Sequence, residues 1–349
     1  MTNIRQDLKS IKQLLVEEYL KPIAPFFEMD GVTAIFVNRF DNIRIREFGK
    51  IRAVDARFLS ENDLEALIQQ IGARLGQKID SLYNPILDAR LPDGSRINAV
   101  MYPTSPRGTN LTIRLFPKVR FTADQLLEKG VFNEEMYAFL KSMIKAEGNG
   151  LVAGATGSGK TTVINAFANL IPPEDRVLVI EDTHELDIGL PDILYMEAPK
   201  RTLKDAEHVN MERLLVNTLR QEGKRTIVGE TREPTTATAL MLAINTGGVG
   251  IWSSIHANDD EAAVRRLINL LLSNDSRIPY EAVEYEVKTN IHFIIFCERT
   301  PLDGQKIVSI SELVDMKLRQ LFRWNYETRT HEKVADSILV PRLNKKFGL

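Results

Sequence analysis

The chain has 349 residues, of which 44% are hydrophobic and 26% are charged, a balance typical of a globular protein with room for two domains. Its 45 Lys and Arg against 47 Asp and Glu give a net charge of −2. The chain therefore has no excess of basic residues of the kind that would predict binding to nucleic acid or anionic lipid. A single cysteine, Cys297, excludes an internal disulfide and a four-thiolate zinc site. No window contains the ~20 uncharged apolar residues that cross a bilayer, and no signal-peptide pattern is found, so we expect a cytoplasmic protein.

The first predicted element is an amphipathic helix near the beginning of the sequence. Its apolar residues recur at roughly helical spacing among basic ones, and they are Ile4, Leu8, Ile11, Leu15 and Leu20. We favour packing of this helix against its own domain. The basic residues leave open the alternative that it lies on a membrane surface.

Residues 1–121 are predicted to form an α+β domain. Four stretches have strand character, and they are 32–37, 43–48, 97–102 and 111–116. Between them lies a helical pattern that begins after Ser60, a residue that can cap the helix three positions before Asp63. The polar stretch 122–130 is predicted to be a linker, with a boundary that sequence places only to within several residues.

Residues 131–349 are predicted to form a second, α/β domain. Short apolar runs alternate there with helical segments, and the runs are 150–153, 176–180, 226–229, 251–255 and 292–296. Continuous apolarity indicates strands that are buried on both faces, which is typical of a parallel sheet flanked by helices. In such a sheet the catalytic residues collect at the carboxyl ends of the strands.

A glycine-rich segment between a predicted strand and a predicted helix indicates a phosphate-binding loop. Its backbone N–H groups and the helix N-terminus would hold phosphate oxygens, Lys160 would reach the β- and γ-phosphates, and the Thr161 hydroxyl would bind Mg²⁺. We therefore predict ATP and Mg²⁺ as cofactors. The alternative is a glycine-rich turn that binds nothing. The predicted nucleotide-binding residues here are Gly154, Ala155, Thr156, Gly157, Ser158, Gly159, Lys160, Thr161 and Thr162.

Acidic residues follow two of the predicted strands. Glu181 and Asp182 come directly after 177–180, and Glu230 comes after 226–229. ATP hydrolysis needs a carboxylate that holds Mg²⁺, usually through water, and a group that deprotonates the attacking water. We assign Glu181 to the metal together with Thr161, and Glu230 to the base. Solvation of Glu230, or an ion pair with Arg232, is the alternative.

A histidine follows a fourth strand. His256 comes after 251–255, where its imidazole would reach a γ-phosphate, although an isolated histidine is more often structural. The other four histidines lack metal-ligand spacing with one another, so the sequence gives no support for zinc chemistry.

Taken in order, the segments GATGSGKTT, IEDTHEL, IVGETR and SSIHAND resemble the secretion and conjugation traffic ATPases, the hexameric motors of type II and type IV secretion, Tad pili and type IV pili. The resemblance covers most of the chain. It implies a RecA-like domain preceded by a smaller PAS-like domain. It also implies a homohexamer at the inner face of the cytoplasmic membrane that hydrolyses ATP to drive export or pilus assembly. The implied partners are inner-membrane secretion or pilus platform proteins, with no sequence-specific binding to nucleic acid.

The resemblance also implies roles for particular residues. It groups Glu181, Asp182 and Glu185 in an acidic box and places Arg232 at the nucleotide. It further implies that Arg96 and Arg114 contact the triphosphate, from the same or a neighbouring subunit. Surface salt bridges are the alternative for these two arginines and for Arg90.

This chain departs from the family's pattern in three places. Gly248 stands where the family usually has a histidine, Glu222-Gly-Lys-Arg225 replaces Arg-Pro-Asp-Arg, and Glu233-Pro-Thr replaces Gly-Gly-Glu. The paired Cys-x-x-Cys zinc insert of many pilus and type II members is also missing. Its absence favours the conjugation, type IV secretion and Tad branch.

Three other functions remain open from the sequence. The chain could be a motor that acts directly on DNA, a small-molecule kinase, or a scaffold that ATP regulates with little turnover. Near-neutral charge and the lack of an aromatic and basic stripe disfavour the first of these.

Overall fold

A computed structural model describes residues 20–91, 93–116, 121–198, 209–275 and 277–347. The chain divides into two compact units, with the change between residues 118 and 119. Apart from Leu20, which is buried, the predicted amphipathic helix at the beginning of the chain lies outside the described residues.

The first unit is an antiparallel sheet packed against one long helix. The strand order is β3-β2-β1-β6-β5-β4, and helix α2 buries Leu64, Leu67 and Ile68 in the same apolar core as the strands. The predicted cap is confirmed, because Ser60 Oγ accepts a hydrogen bond from the Asp63 backbone N–H at 3.3 Å. The elements are α1 (Ala24–Glu28), β1 (Val32–Arg39), β2 (Asn42–Glu47), β3 (Lys50–Ala53), α2 (Glu61–Arg74), β4 (Ile86–Arg90), β5 (Arg96–Val100) and β6 (Asn110–Arg114).

The second unit contains a sheet of nine described strands with helices on both faces. Its elements are α3 (Ala123–Glu128), α4 (Glu134–Lys145), β7 (Gly150–Gly154), α5 (Lys160–Ala168), β8 (Val177–Glu181), β9 (Ile193–Glu197), α6 (Met211–Thr218), β10 (Arg225–Val228), α7 (Pro234–Asn245), β11 (Ile251–Ile255), α8 (Asp260–Asn274), α9 (Tyr280–Asn290), β12 (Phe293–Thr300), β13 (Gly304–Val314), β14 (Lys317–Asn325), β15 (Thr330–Lys333) and α10 (Leu339–Phe347).

The sheet order is β15-β14-β13-β12-β7-β11-β10-β8-β9. Strands β12 to β9 in this order are mutually parallel, so the predicted parallel sheet and the predicted α/β class are confirmed. The antiparallel extension β13–β15 was not predicted. It forms because short turns join successive strands there, and such turns allow only antiparallel pairing.

Buried strands place alternate side chains in two separate apolar layers. In β7, Val152 joins the layer formed with α4 and α5, while Leu151 and Ala153 join the layer formed with α7 and α8. This is the burial on both faces that the continuous apolar run predicted. The parallel strands therefore end together at one edge, where the candidate site lies.

The stretch predicted to be a linker, 122–130, is largely helix α3. Thr122 and Gln125 form a reciprocal capping box, and Ala123 and Leu126 are buried in the core of the second unit. Its polar residues therefore cap and solvate a packed helix. We accordingly assign this stretch to the second unit.

The longest described helix, α8, has 15 residues, whereas a helix that spans a bilayer needs ~20. Of the helices within the described ranges, none is both long enough and apolar enough to cross a membrane.

Candidate active site

The candidate phosphate loop, residues 154–161, connects the end of β7 to the beginning of α5. Gly154, Gly157 and Gly159 have φ angles of +152°, +78° and +93°, which disfavour any side chain. Space is also restricted, since a Cβ at Gly154 would lie 2.3 Å from the Cys297 carbonyl oxygen and one at Gly159 would lie 2.1 Å from Gln305 Nε2. Two of these glycines are thus required by conformation and by close packing.

Lys160 lies inside the curve of this loop and is only 7% exposed. Its Nζ donates hydrogen bonds to the carbonyl oxygens of Gly154 at 2.9 Å and Ala155 at 3.0 Å. Burial lowers the pKa of Lys160, an effect that the charge of Glu230 partly opposes. The ammonium is held by neutral carbonyl groups that phosphate oxygens can replace with stronger, charge-assisted bonds.

His256, at the end of β11, connects Lys160 to Glu230. Its Nδ1 lies 3.3 Å from Lys160 Nζ and its Nε2 lies 2.9 Å from Glu230 Oε1. Burial, followed by the charge of Lys160, lowers the pKa of His256, so the imidazole is neutral at neutral pH. A neutral ring can accept from the ammonium at Nδ1 while it carries a proton at Nε2.

Glu230 has two oxygens in different environments. Oε2 accepts a hydrogen bond from Arg232 at 2.6 Å, so the predicted alternative of an ion pair with Arg232 is present. Oε1 is buried and lacks a well-aligned donor among the described residues, because His256 Nε2 approaches it off the hydrogen-bond direction. Burial raises the pKa of Glu230, but the bond to Arg232 outweighs that effect, so the pKa lies below its usual value.

Arg232 also contacts the acidic segment that follows β8. One of its guanidinium nitrogens lies 3.4 Å from Asp182 Oδ2, and these acids raise its pKa further, after the larger contribution of Glu230. The second unit therefore brings together five residues that the sequence singled out separately, namely Lys160, Asp182, Glu230, Arg232 and His256.

Glu181 has a different position from the one predicted. Its Oε1 accepts the backbone N–H groups of Glu185 and Leu186 at 2.9 and 3.0 Å, and its Oε2 lies 3.1 Å from His184 Nδ1. Both oxygens are thus engaged in shaping the acidic segment. Glu185 Oε2, by contrast, lies 3.5 Å from the Thr161 hydroxyl, so Glu185 is the acid beside the predicted metal ligand.

Two asparagines, one in α5 and one directly after it, hold the acidic segment against the candidate phosphate loop. Asn165 Oδ1 accepts the Asp187 N–H and Asn169 Oδ1 accepts the Gly189 N–H, each at 2.8 Å. The sequence analysis did not predict a role for either asparagine. Their spacing of four residues places both on one face of the helix, and this spacing was the pattern that could have indicated a shared contact.

Gln305, in β13, is a second residue that sequence reasoning missed. Its Nε2 donates to the Gly159 carbonyl oxygen at 3.1 Å across a separation of 146 residues. No local pattern marks this residue, because the contact exists only once β12 and β13 have paired beside β7. The hydrogen bond fixes the orientation of the peptide that precedes Lys160.

The oxygen groups beside the candidate loop suit a magnesium ion. Thr161 and Glu185 offer a hydroxyl and a carboxylate, which are hard ligands, and Mg²⁺ usually takes one or two such ligands and completes its shell with water and phosphate. No cluster of three or more His, Cys, Asp and Glu side chains placed to bind a metal occurs within the described residues.

Gly248, where the family usually has a histidine, has no room for a side chain. A Cβ there would lie 2.5 Å from the Ala243 carbonyl oxygen, which also accepts the Gly248 N–H at 3.1 Å. The turn after α7 is therefore packed too closely for a side chain at this position. The departure at Glu233-Pro-Thr is also compatible with the fold, since Pro234 begins α7 at a position where proline costs no backbone hydrogen bond.

In the first unit, three arginines form a row across neighbouring strands. Arg90 is directly opposite Arg96, which is directly opposite Arg114, so their side chains share one face of the sheet. Ile97 and Ile113, on the opposite face, are fully buried. This row was predicted only as separate residues, because strand register is needed to align it.

The sequence matches a family model described as type II/IV secretion system protein over residues 16–316. A probable conjugal transfer protein, TrbB, of Sinorhizobium fredii is 32% identical over 286 residues, which cover 81% of this chain and 83% of that protein. An uncharacterized protein of Methanocaldococcus jannaschii is 37% identical over 198 residues, 55% of this chain, but the match spans only 27% of that longer protein.

A solved structure shows the same fold. The Yersinia pseudotuberculosis ATPase DotB aligns with a TM-score of 0.61 at 18% identity and covers 87% of this chain and 79% of its own. The family match over residues 16–316 includes every segment of the candidate site. The chain therefore belongs to the family of type II/IV secretion system proteins.

Proposed function

We propose that this protein is an ATPase that hydrolyses ATP at the candidate phosphate loop and drives export through a conjugation or type IV secretion system. The observation that carries the proposal is the continuous contact from Lys160 through His256 to Glu230. It connects the residue that would grip the terminal phosphates to the residue that would activate water.

Glu230 is the proposed general base. Arg232 holds Oε2 and keeps the carboxylate ionised, while Oε1 faces the site without a well-aligned donor. Oε1 would take a proton from water as the water oxygen attacks the γ-phosphorus and the bond to ADP breaks. His256 would turn its proton toward the developing phosphate.

Lys160 would exchange its backbone carbonyl partners for β- and γ-phosphate oxygens when ATP binds. This exchange would remove the contact between Lys160 Nζ and His256 Nδ1, so the neutral imidazole could change its orientation. Because His256 also contacts Glu230, binding of the triphosphate would in this way affect Glu230.

We assign the metal contacts to Thr161 and Glu185, with Glu181 as the residue that shapes the acidic segment. Mg²⁺, when bound with the nucleotide, neutralises charge that develops on the phosphate oxygens. Asn165 and Asn169 would keep Glu185 at the correct distance from the loop.

Finer features of the proposal follow from the family. We propose a RecA-like second unit, a PAS-like first unit, and a homohexamer at the cytoplasmic side of the inner membrane, where platform proteins of a type IV secretion, conjugation or Tad-like system would receive the work. Arg96 and Arg114 would stabilise the transition state, for which the aligned row of arginines is the support. Export is favoured by the similarity to a probable conjugal transfer protein and by the type II/IV secretion family to which the chain belongs.

Phosphate release by the purified protein tests the proposed reaction. With ATP and Mg²⁺ and no acceptor, the wild-type protein should release phosphate, and Glu230→Gln should lower the rate about 10²- to 10⁴-fold while ATP binding persists. Glu233→Gln, an exposed change three residues away, is the matched control and should keep full activity.

The same assay separates the rival functions. A requirement for a phosphoryl acceptor would point to a kinase, and severalfold stimulation by DNA would point to a DNA motor. Full activity of Glu230→Gln would refute the assignment of the base.

A further inference from the structure

A second cavity adjoins the candidate active site on the side of His256. It has a volume of about 500 Å³ and lies between the start of the candidate phosphate loop, at Ala155, and one face of α8. His256 belongs to its wall and also to the network with Lys160 and Glu230. The cavity therefore adjoins the network formed by Lys160, His256 and Glu230.

The polar groups that line this cavity are cations and hydrogen-bond donors. Arg265 and Arg266 contribute guanidinium groups, and Asn258 and Asn269 contribute amides. Neither arginine has an ion pair or hydrogen bond with any residue in the described part of the chain, unlike Arg225 and Arg232.

Asp259 and Asp260, which follow Asn258 in the sequence, are both engaged in hydrogen bonds outside the cavity lining or within the helix cap. Asp259 Oδ1 accepts the Ala262 N–H at 2.6 Å and caps α8. Asp260 is buried and accepts hydrogen bonds from Ser309, at 2.5 Å, and from Ser311. Of the described residues that line the cavity, none is Asp or Glu, and Arg265 and Arg266 are its charged lining residues. The charge of Arg266 contributes to the lowered pKa of His256, after burial, Lys160 and Arg232.

We propose that this cavity is an oxyanion subsite that receives inorganic phosphate as it leaves the γ-position, with Arg265 and Arg266 as the residues that hold it. This rests on the proposed function. Arginine suits the role because its planar fork donates two parallel bonds to phosphate oxygens and stays charged at every relevant pH. The volume accommodates the anion with part of its water shell, which suits a group in transit.

Direct binding of inorganic phosphate tests the subsite without turnover. The starting protein carries Lys160→Ala, which weakens phosphate binding in the loop itself, and binding is measured by calorimetric titration. Adding Arg265→Ala and Arg266→Ala should weaken phosphate binding roughly tenfold or more. Adding Arg277→Ala, which removes an exposed arginine outside the cavity, should leave it unchanged.

Two results would overturn the subsite. One is failure of the Lys160→Ala protein to bind phosphate, and the other is equal binding with and without the two arginines. Thermal unfolding of each variant checks that folding is intact, which the exposed positions of both arginines favour.

Product inhibition connects the subsite to the reaction. Added phosphate should inhibit ATP hydrolysis by the wild-type protein, and the double arginine variant should need about tenfold more phosphate for the same inhibition. Equal inhibition of both proteins would contradict the role in product release. If the wild-type protein hydrolyses no ATP, the proposed function fails, whereas the binding titration still decides the subsite.

Discussion

Strand β10 carries charged residues at both ends, and the two ends differ in how their charges are compensated. At its amino end, Arg225 is 3% exposed and donates to Asp175, itself 1% exposed, at 2.7 Å. Lys224 bridges Asp175 and Glu147 at 2.8 and 3.0 Å. Two acids thus face two bases, and a further guanidinium nitrogen of Arg225 donates to the Ile144 carbonyl oxygen.

At the carboxyl end the compensation is incomplete. Glu230 Oε1 and the buried Ser158 hydroxyl lack hydrogen-bond partners among the described residues, and Lys160 is held by carbonyl groups rather than by a carboxylate. A balanced cluster fixes the fold, whereas a cluster with open bonding capacity is suited to bind a ligand. The residues Lys224 and Arg225, one of the chain's departures from the family pattern, therefore belong to the structural end.

The largest expected effect on stability comes from breaking the balanced end. Arg225→Ala leaves Asp175 buried with one partner fewer, so we expect a loss of about 3–5 kcal/mol in the free energy of unfolding. Denaturant titration measures it. Arg323→Ala, which removes an exposed pair with Glu332, should cost at most about 1 kcal/mol. Similar small losses in both variants would contradict the contrast between the two ends.

A smaller effect is expected where a distant strand supports the open end. Gln305→Ala removes the hydrogen bond to the Gly159 carbonyl oxygen, worth about 1 kcal/mol, so KM for ATP should rise severalfold with little change in kcat. Steady-state kinetics gives both values. The control Gln320→Ala changes an exposed glutamine of β14 and should leave both unchanged. A fall in kcat alone would indicate that Gln305 does not position the loop for binding.

The smallest expected effect is a pH dependence of thermal stability that comes from His331, which lies outside both ends of β10. It determines the pH range in which the two ends can be compared. Burial lowers the pKa of His331 from 6.5 to about 4, so below pH 6.5 the unfolded chain binds a proton that the folded chain does not. The contribution of the neutral, buried His331 to the free energy of unfolding is fully present above about pH 6.5 and decreases as the pH falls toward 4. Relative to wild type, His331→Gln should therefore lose less thermal stability between pH 6.5 and 4. Parallel pH profiles of Tm would contradict this assignment.

Much of the site could be predicted because its residues follow apolar strands or lie in one contiguous segment. The loop 154–161, Glu230 and His256 each follow a buried strand, and parallel strands bring their carboxyl ends to one edge. Sequence alone also predicted the five parallel strands β7, β8, β10, β11 and β12 of the sheet that positions them.

The remaining features depend on contacts between residues far apart in the chain. Asp175 and Arg225 are 50 residues apart, and Gln305 and Gly159 are separated by 146, so neither pair has a local pattern. The different positions of Glu181 and Glu185 depend on a turn that directs the Glu181 carboxylate to backbone N–H groups and leaves Glu185 beside Thr161. Helix α3 was assigned to a linker because its polar residues concealed a short buried face.

The central claim is that residues 154–161 grip the triphosphate, and titration of ATP with Mg²⁺ tests it most directly. Wild-type protein and Lys224→Ala, which changes the lysine at the other end of β10, should bind ATP with similar affinity. Lys160→Ala should bind about 100-fold more weakly or not measurably, because it removes a buried cation from the phosphates. If Lys160→Ala bound ATP as tightly as the wild-type protein, the nucleotide would lie elsewhere and the account would be contradicted.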